Sequence, residues 1–351
     1  MMKKIISIIL CVALIMAIAP ATLAEGTYEI SMVTDVGNID YQSFNQYTWE
    51  AAKQYAEENG KTYAYYRPKE DSDDARLDAI TSAVDKGAKV VVCPGFLFIA
   101  TIEAAQELYP EVNFLFIDHD LETATANTHC IIYKEEQAGF LAGYAAVKDG
   151  YKNLGFLGGV AVPAVIRYGE GFVQGAEAAA VELGAEDINI KYWYSNSFVP
   201  SDEIKAKMSG WITDGTEVIF ACGGGIVFSA LQAAREGGAK IIGVDVDQGN
   251  LDELIITSAM KELSNSVLIS LKALYDNGGV WPEDMAGKTS ILGAAENCVG
   301  LPVAEGSWRF NSFTLDEYNA LFEKVKSGEI AISDAIDAPS TVVNVTVDYQ
   351  K

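Results

Sequence analysis

The chain has 351 residues and a formal net charge of −24, and half of its residues are hydrophobic. That length exceeds what one hydrophobic core usually serves, so we expect two domains. The acidic surface repels phosphate backbones and anionic lipid headgroups, which argues against nucleic acid and membrane surfaces as partners. Because the chain contains only two histidines, a histidine-based metal site is not expected either.

Residues 1–24 have the pattern of a secretory signal peptide. A basic start is followed by an apolar run from Ile5 to Ile18, by the helix breaker Pro20 and by a small-residue cleavage site at Thr22–Ala24. The apolar run is too short to span a membrane with its flanks. We therefore expect the mature protein to lie outside the cytoplasm, in a periplasm or at the outer face of the plasma membrane.

The cysteines favour neither a lipid anchor nor a disulfide framework. A lipid anchor would need a cysteine directly after the cleavage site, whereas Cys11 lies inside the apolar run. The other four show no C-x-x-C spacing, and in a chain with this much core such cysteines are more often small buried residues than disulfide partners. These four are Cys93, Cys130, Cys222 and Cys298.

The mature chain opens with a strand, a polar loop and a helix. Residues 28–33 alternate polar and apolar side chains as a strand does, and apolar residues recur at helical spacing over 47–55. Ser43 and Gln46 have the spacing of a capping box, which places the helix start at Phe44. In an open α/β sheet, the loop after the carboxyl end of a strand is where ligands bind. The alternative is an ordinary loop with a buried phenylalanine.

Strands and helices then alternate, which is typical of a doubly wound α/β fold with parallel sheets. The run Val90–Cys93 is apolar throughout, as a parallel strand covered on both faces would be. The rhythm starts again near residue 129, so we expect two similar lobes with a cleft between them. Strands are predicted at 62–66, 89–93, 113–117, 129–133, 153–157, 188–194, 218–220 and 240–244, and helices at 73–86, 98–108, 135–147 and 315–325.

Acidic and aromatic side chains recur near strand ends. Asp35, Asp118 and Asp245 each follow an apolar run. Because the carboxyl ends of both sheets would face the cleft, these carboxylates could converge on one ligand, where each accepts hydrogen bonds from hydroxyl or N–H groups. Phe44 and Phe198 could stack on a planar ring. Taken singly, each aspartate could instead be a helix N-cap and each phenylalanine a core residue.

Two motifs carry a family resemblance: TDVGNIDYQSFNQ at residues 34–46 and GVDVDQ at 243–248. The chain resembles the basic-membrane-protein family, the purine-nucleoside-binding components of ABC importers. The resemblance implies a type I periplasmic-binding-protein-like fold, with two doubly wound parallel-sheet lobes joined by three hinge crossings near residues 130, 255 and 300. It divides the mature chain into an N-terminal lobe of 27–130 plus 256–300 and a C-terminal lobe of 131–255 plus 301–351.

The resemblance also implies a ligand set. Phe44 and Phe198 would stack on the base. Polar contacts to the nucleoside would come from Asp35, Asn45 and Asp118, and sugar-side contacts from Gly223 or Gly224, Asp245 and Lys261. Asp247 could replace Asp245, an alternative that the spacing to Lys261 leaves open.

The function expected from this resemblance is capture of a purine nucleoside (guanosine, inosine or adenosine) and its delivery to ABC permease subunits, without cofactor, metal or catalysis. Alternatives are a binding protein for another small polar ligand, such as a sugar or an autoinducer, and a nucleoside-processing enzyme. An enzyme is disfavoured because the sequence shows neither a G-x-S-x-G nucleophile elbow nor a clustered aspartate calcium motif. Nor is there a phosphate-binding loop of the G-x-x-x-x-G-K-[ST] type.

Overall fold

The computed structural model describes residues 26–35, 37, 39 and 44–351. The predicted signal peptide at 1–24 lies outside the described residues. The same holds for Ser43, so the proposed capping box stays a prediction. None of the helices in the described part of the chain is both long enough and apolar enough to cross a bilayer.

The first half of the chain builds a six-stranded sheet in which every neighbouring pair is parallel. Its strand order is β11-β5-β4-β3-β1-β2. All five residues of β3 and all five of β4 are buried, as expected for strands with helices on both faces. The elements are β1 (Ile30–Val33), α1 (Phe44–Glu58), β2 (Tyr63–Tyr66), α2 (Asp73–Asp85), β3 (Val90–Pro94), α3 (Ile99–Leu108), β4 (Asn113–Ile117) and β5 (Thr128–Tyr133), with α8 (Leu263–Asp276) and β11 (Lys288–Leu292) returning later.

The second half builds a seven-stranded sheet of order β12-β10-β9-β8-β6-β7-β13. It is parallel except for the short β12, which runs antiparallel to β10. Its elements are α4 (Glu135–Lys148), β6 (Asn153–Gly158), α5 (Pro163–Leu183), β7 (Ile188–Tyr194), α6 (Asp202–Thr213), β8 (Val218–Cys222), α7 (Ile226–Gly237), β9 (Lys240–Asp245), β10 (Ile255–Lys261), β12 (Val299–Gly300), α9 (Leu315–Ser327) and β13 (Val345–Tyr349). The predicted α/β fold with two parallel-sheet lobes is confirmed.

Side-chain caps fix where several helices begin. Ser72 accepts a hydrogen bond from the backbone of Ala75 at the start of α2. Thr314 and Glu317 form a complete capping box at the start of α9. Each cap satisfies backbone N–H groups that the first helical turn leaves without partners. The starts of α2 and α9 therefore follow from the local sequence.

Over the residues that the structure describes, the chain passes between the sheets three times, each time a few residues from the predicted place. β5 pairs with β11 up to Tyr133, so the first crossing follows residue 133 rather than 130. β10 pairs with β9, so the assignment of residues 256–261 to the first lobe is wrong, and the second crossing follows Lys261. β12 pairs with β10, so the third crossing precedes Val299. An apolar strand does not reveal in its own sequence which sheet it joins.

The four cysteines among the described residues are free and buried, which confirms the interpretation as small core residues. Burial raises the pKa of Cys130 to about 11 and that of Cys298 to about 11. At neutral pH these thiols are therefore protonated and poorly nucleophilic.

Candidate functional site

A cavity of about 330 Å³ lies where the carboxyl ends of the two sheets face each other. It receives side chains from β-strand ends and helix starts of both lobes. All nine residues that the sequence singled out for ligand contact line this one cavity: Asp35, Phe44, Asn45, Asp118, Phe198, Gly223, Gly224, Asp245 and Lys261.

Asp35 and Asn45 form a small hydrogen-bonded unit on the first-lobe wall. Asp35 follows β1 by two residues, and its Oδ1 accepts hydrogen bonds from the backbone N–H of Gly37 at 2.6 Å and from Asn45 Nδ2 at 2.7 Å. Burial is the largest influence on the pKa of Asp35 and raises it, while these two bonds lower it in part. We call Asp35, Gly37 and Asn45 the amide cluster, because only amide groups hydrogen-bond the carboxylate among the described residues.

Phe44 is the first residue of α1, so the start of the helix sets its position next to the amide cluster. Its ring is half-buried, and the Lys261 amine lies 4.9 Å from the ring centroid. A cation at this distance is attracted by the negative face of the ring. Phe44 therefore lines the cavity between the amide cluster and the buried amine of Lys261.

Phe198 supplies an aromatic ring from the second lobe. Its loop is bound to the end of β6, because Ser195 N donates to Gly158 O at 2.8 Å and Asn196 N donates to Gly159 O at 3.0 Å. A Cβ atom at Gly159 would lie 2.5 Å from the Phe198 ring. Only glycine allows the ring to lie against the strand end in this way. On the other side, Gly225 N donates to Phe198 O at 2.9 Å.

Asp118 and Asp245 occupy equivalent places in the two lobes. Asp118 directly follows β4 in the first sheet, and Asp245 is the last residue of β9 in the second. Both have a left-handed backbone, with φ of 75° and 66°. Non-glycine residues rarely adopt this conformation, and such residues cluster at functional sites. The two turns aim both carboxylates at the same side chain, Lys261.

Lys261 is the last residue of β10 and is only 3% exposed. Its amine lies 2.5 Å from Asp118 Oδ1 and 3.7 Å from Asp245 Oδ1. Burial alone lowers the pKa of Lys261, but the surrounding carboxylates outweigh burial and raise it above its usual range. The lysine is therefore charged at any physiological pH. We call Asp118, Asp245 and Lys261 the lysine cluster.

Asp245 and Asp247 lie in different surroundings. Asp245 lines the cavity. Asp247 accepts hydrogen bonds from Ser307 Oγ and from the backbone of Gly249, and it is not among the described residues that line the cavity. Asp247 therefore holds together the loop beyond β9.

Several lining residues were missed by the sequence reasoning. Phe96 follows the end of β3, and Val162 and Val165 follow the end of β6. In open sheets, ligands bind at the carboxyl ends of the strands, so the reasoning that predicted the aspartates also applies to these three residues. Tyr168 lies one turn further along α5 and could not be distinguished from a core residue by sequence. The exposed Arg67 lies just after β2. Within the described residues, no group of three or more His, Cys, Asp and Glu side chains is arranged to hold a metal ion.

The architecture is that of two-lobed solute-binding proteins. A solute-binding protein of an ABC transporter system from Aeropyrum pernix K1 superposes with a TM-score of 0.75 at 21% identity, over 88% of this chain and 94% of that one. A second such protein, from Conexibacter woesei, superposes with a TM-score of 0.69 at 19% identity, over 87% of this chain and 99% of that one. At these identities the likeness shows the fold alone.

The family is shown by the sequence. The family model described as ABC transporter substrate-binding protein PnrA-like matches residues 29–335. The chain therefore belongs to the PnrA-like family of ABC transporter substrate-binding proteins, and the resemblance seen in its motifs is confirmed.

Individual relatives are distant but matched over most of their length. The chain is 29% identical to the ABC transporter nucleoside-binding protein BmpA of Lactococcus lactis, over 74% of each protein. It is 27% identical to basic membrane protein B of Borreliella afzelii, over 78% of this chain and 80% of the relative. It is 26% identical to the CD4+ T-cell-stimulating antigen of Listeria monocytogenes, over 88% of each.

Proposed function

We propose that this protein binds a purine nucleoside in the cavity between its lobes and delivers it to an ABC importer. The observation that carries the proposal is the joint lining of one cavity by Phe44 and Phe198 from different lobes and by the carboxylates of both clusters. The nucleoside-binding relative from Lactococcus lactis supports the same ligand class.

The cavity chemistry suits a flat base. Phe44 and Phe198 can stack on an aromatic ring system, and loss of one stacking contact with a base typically costs about 1–3 kcal/mol. The amide cluster offers the acceptor oxygens of Asp35 beside the amide of Asn45. A purine presents both ring N–H donors and acceptor atoms at its edge, so the amide cluster is the proposed base-reading unit.

The lysine cluster suits a sugar. Hydroxyl groups both donate and accept hydrogen bonds. Asp118 and Asp245 can accept from them, and the Lys261 amine can donate to them. Gly223 and Gly224 line the same region without side chains and leave room for close approach. The proposed ligand therefore lies with its base toward the amide cluster and its ribose toward the lysine cluster.

Delivery to a transporter is consistent with the location outside the cytoplasm that the sequence predicts for this protein. The two lobes are joined by short crossings, which are typical of proteins that close around a ligand by a hinge motion. The closed form would then present its ligand to ABC permease subunits. Uptake of labelled inosine by vesicles that contain the permease, with and without this protein, tests the delivery step.

Calorimetry on purified, ligand-stripped protein tests the ligand. We expect guanosine, inosine or adenosine to bind with a dissociation constant far below millimolar, and free ribose to bind much more weakly because it cannot stack. If no nucleoside binds more tightly than millimolar, the nucleoside assignment is overturned.

A further inference from the structure

A fully buried glutamate, Glu135, lies next to Lys261 without being among the described residues that line the cavity. Its Oε2 accepts a hydrogen bond from Arg167 Nε at 2.7 Å. Its Oε1 lies 3.6 Å from Lys261 Nζ and hydrogen-bonds to none of the described residues. One carboxylate thus stands between two cations, with its free oxygen toward the lysine.

Helix packing fixes this arrangement. Glu135 is the first residue of α4, where the positive end of the helix dipole favours a carboxylate. Arg167 lies on α5, one turn before Gly171. A Cβ atom at Gly171 would lie 2.2 Å from the backbone oxygen of Glu136, so the absence of a side chain there lets α5 approach the start of α4. The guanidinium is thereby brought to Glu135.

Glu135 lies close to a point where the chain passes from one lobe to the other. Glu135 lies two residues after the end of β5, just past the first crossing, and Lys261 immediately precedes the second crossing. Their contact therefore joins two of the segments that connect the lobes, while Asp118 binds the same amine from the first sheet.

Added stability does not by itself explain the charged triad of Glu135, Arg167 and Lys261. Burying the charges of Glu135 and Lys261, together with most of the Arg167 side chain, costs free energy that their mutual attraction offsets only in part. What the triad supplies is orientation, because a lysine amine is a point charge at the end of a flexible four-carbon chain.

The Lys261 amine has donor capacity left for a ligand. An ammonium group has three N–H donors. Among the described residues, only Asp118 accepts a hydrogen bond from this amine, since the contacts to Glu135 and Asp245 are 3.6 and 3.7 Å long. Without Glu135, the amine would keep its hydrogen bond to Asp118 but would be less restrained in the direction of its other N–H groups.

We propose that Glu135 is a positioning residue: together with Arg167 it holds the Lys261 amine where it donates a hydrogen bond to a hydroxyl group of the ligand sugar. This inference rests on the proposed nucleoside function and deepens it. It assigns to a residue outside the cavity a share of the selectivity for ribose hydroxyls.

The test is to measure by calorimetry how tightly the wild-type protein and the Glu135→Gln variant bind inosine and its 2′-, 3′- and 5′-deoxy forms. The glutamine keeps the shape and can accept from Arg167, but it presents no negative charge to Lys261. We expect the affinity for inosine to fall about tenfold, which corresponds to partial loss of one charge-assisted hydrogen bond. For the one deoxy form that lacks the hydroxyl bound by Lys261, the substitution should cost almost nothing.

Glu136→Gln is the matched control. Glu136 is adjacent and buried, and burial raises its pKa to about 7, but it makes no ion pair with Lys261 among the described residues. Its substitution should leave all four affinities unchanged within about twofold.

Three outcomes overturn the inference. In the first, Glu135→Gln binds inosine as tightly as the wild type. In the second, it loses the same factor for every ligand, which would show a general disturbance rather than positioning. In the third, the wild-type protein binds no nucleoside, which overturns the proposed function and the inference with it.

If circular dichroism shows that Glu135→Gln does not fold, the same binding measurements are made on Glu135→Asp. It keeps the charge but withdraws it by one methylene group. We then expect about a threefold loss for inosine and none for the informative deoxy form. Equal losses for both ligands would overturn the inference.

Discussion

The two clusters of the cavity hold their carboxylates in opposite ways. In the amide cluster, Asp35 is bound by the neutral donors of Gly37 and Asn45, and burial raises its pKa. In the lysine cluster, Asp118 and Asp245 face a buried cation. A carboxylate with neutral partners can match the donor and acceptor atoms at the edge of a base, whereas carboxylates beside a buried ammonium group offer acceptors next to a charged donor, which suits hydroxyl groups. This difference suggests a base at the first and hydroxyl groups at the second.

The largest expected effect comes from removing the cation of the lysine cluster. Lys261→Met leaves Asp118 and Asp245 in the cavity wall without their ammonium partner. Breaking a buried ion pair in this way typically lowers the free energy of unfolding by about 3–5 kcal/mol. Urea denaturation at pH 7 measures the change.

The control for this variant is Lys205→Met. Lys205 is 2.7 Å from Glu236 on the surface, where an ion pair contributes less than about 1 kcal/mol. A Lys261→Met protein that unfolds at the same urea concentration as Lys205→Met would show that the lysine cluster is not a buried charge network.

Removing either aromatic ring of the cavity tests whether the base stacks between Phe44 and Phe198. Phe44→Leu and Phe198→Leu keep an apolar side chain but remove the stacking surface. Each should weaken inosine binding by about 1–3 kcal/mol, while free ribose, which does not stack, should bind as before. Calorimetry with both ligands measures the split.

Phe310→Leu provides the comparison, because Phe310 is half-buried but is not among the described residues that line the cavity. Its inosine affinity should equal that of the wild type. Should only one of the two cavity variants lose affinity, the base would lie against one lobe instead of between both.

The smallest expected effect on binding comes from changing Asp35, the carboxylate of the amide cluster. Asp35→Asn can keep both observed hydrogen bonds, since Gly37 and Asn45 donate to the same oxygen, Oδ1. It turns the other oxygen into a donor, so we expect inosine affinity to fall about tenfold. Calorimetry checks this, with the exposed Asp85→Asn as a control that should bind normally.

The same variant carries a pH prediction. Because burial raises the pKa of Asp35 above its ordinary value of 3.8, ionisation costs more in the folded than in the unfolded protein. Stability of the ligand-free protein is therefore lost as pH rises from about 3.8 through the folded pKa. Asp35→Asn should flatten this part of the stability curve. A curve identical to that of the wild type would refute the buried setting of Asp35.

Much of this cavity could be predicted from sequence because its parts lie at strand ends. Apolar runs such as Asn113–Ile117 fix a parallel strand, and the rule for open sheets then points to the next residue, Asp118. The rule works for Asp245 in the same way. The sequence does not reveal pairing between distant segments, so the predicted lobe boundary cuts the strand Ile255–Lys261 and places residues 256–261 in the wrong lobe.

Glu135 shows a second limit. Acidic residues in the first turn of a helix are common because they complement the helix dipole, so the pair Glu135-Glu136 looks like an ordinary helix start. Its contact with Lys261 joins residues more than a hundred positions apart. Tyr168 was missed for a similar reason, since helical spacing alone does not separate a cavity wall from a core.

The measurement that tests the central claim most directly is a crystal structure of the protein with inosine bound. We expect the base between Phe44 and Phe198 with its edge on Asp35 and Asn45, and ribose hydroxyls within about 3 Å of the Lys261 amine and of Asp118 or Asp245. A ligand in the reverse orientation, or one held outside the cavity between the lobes, would contradict the account.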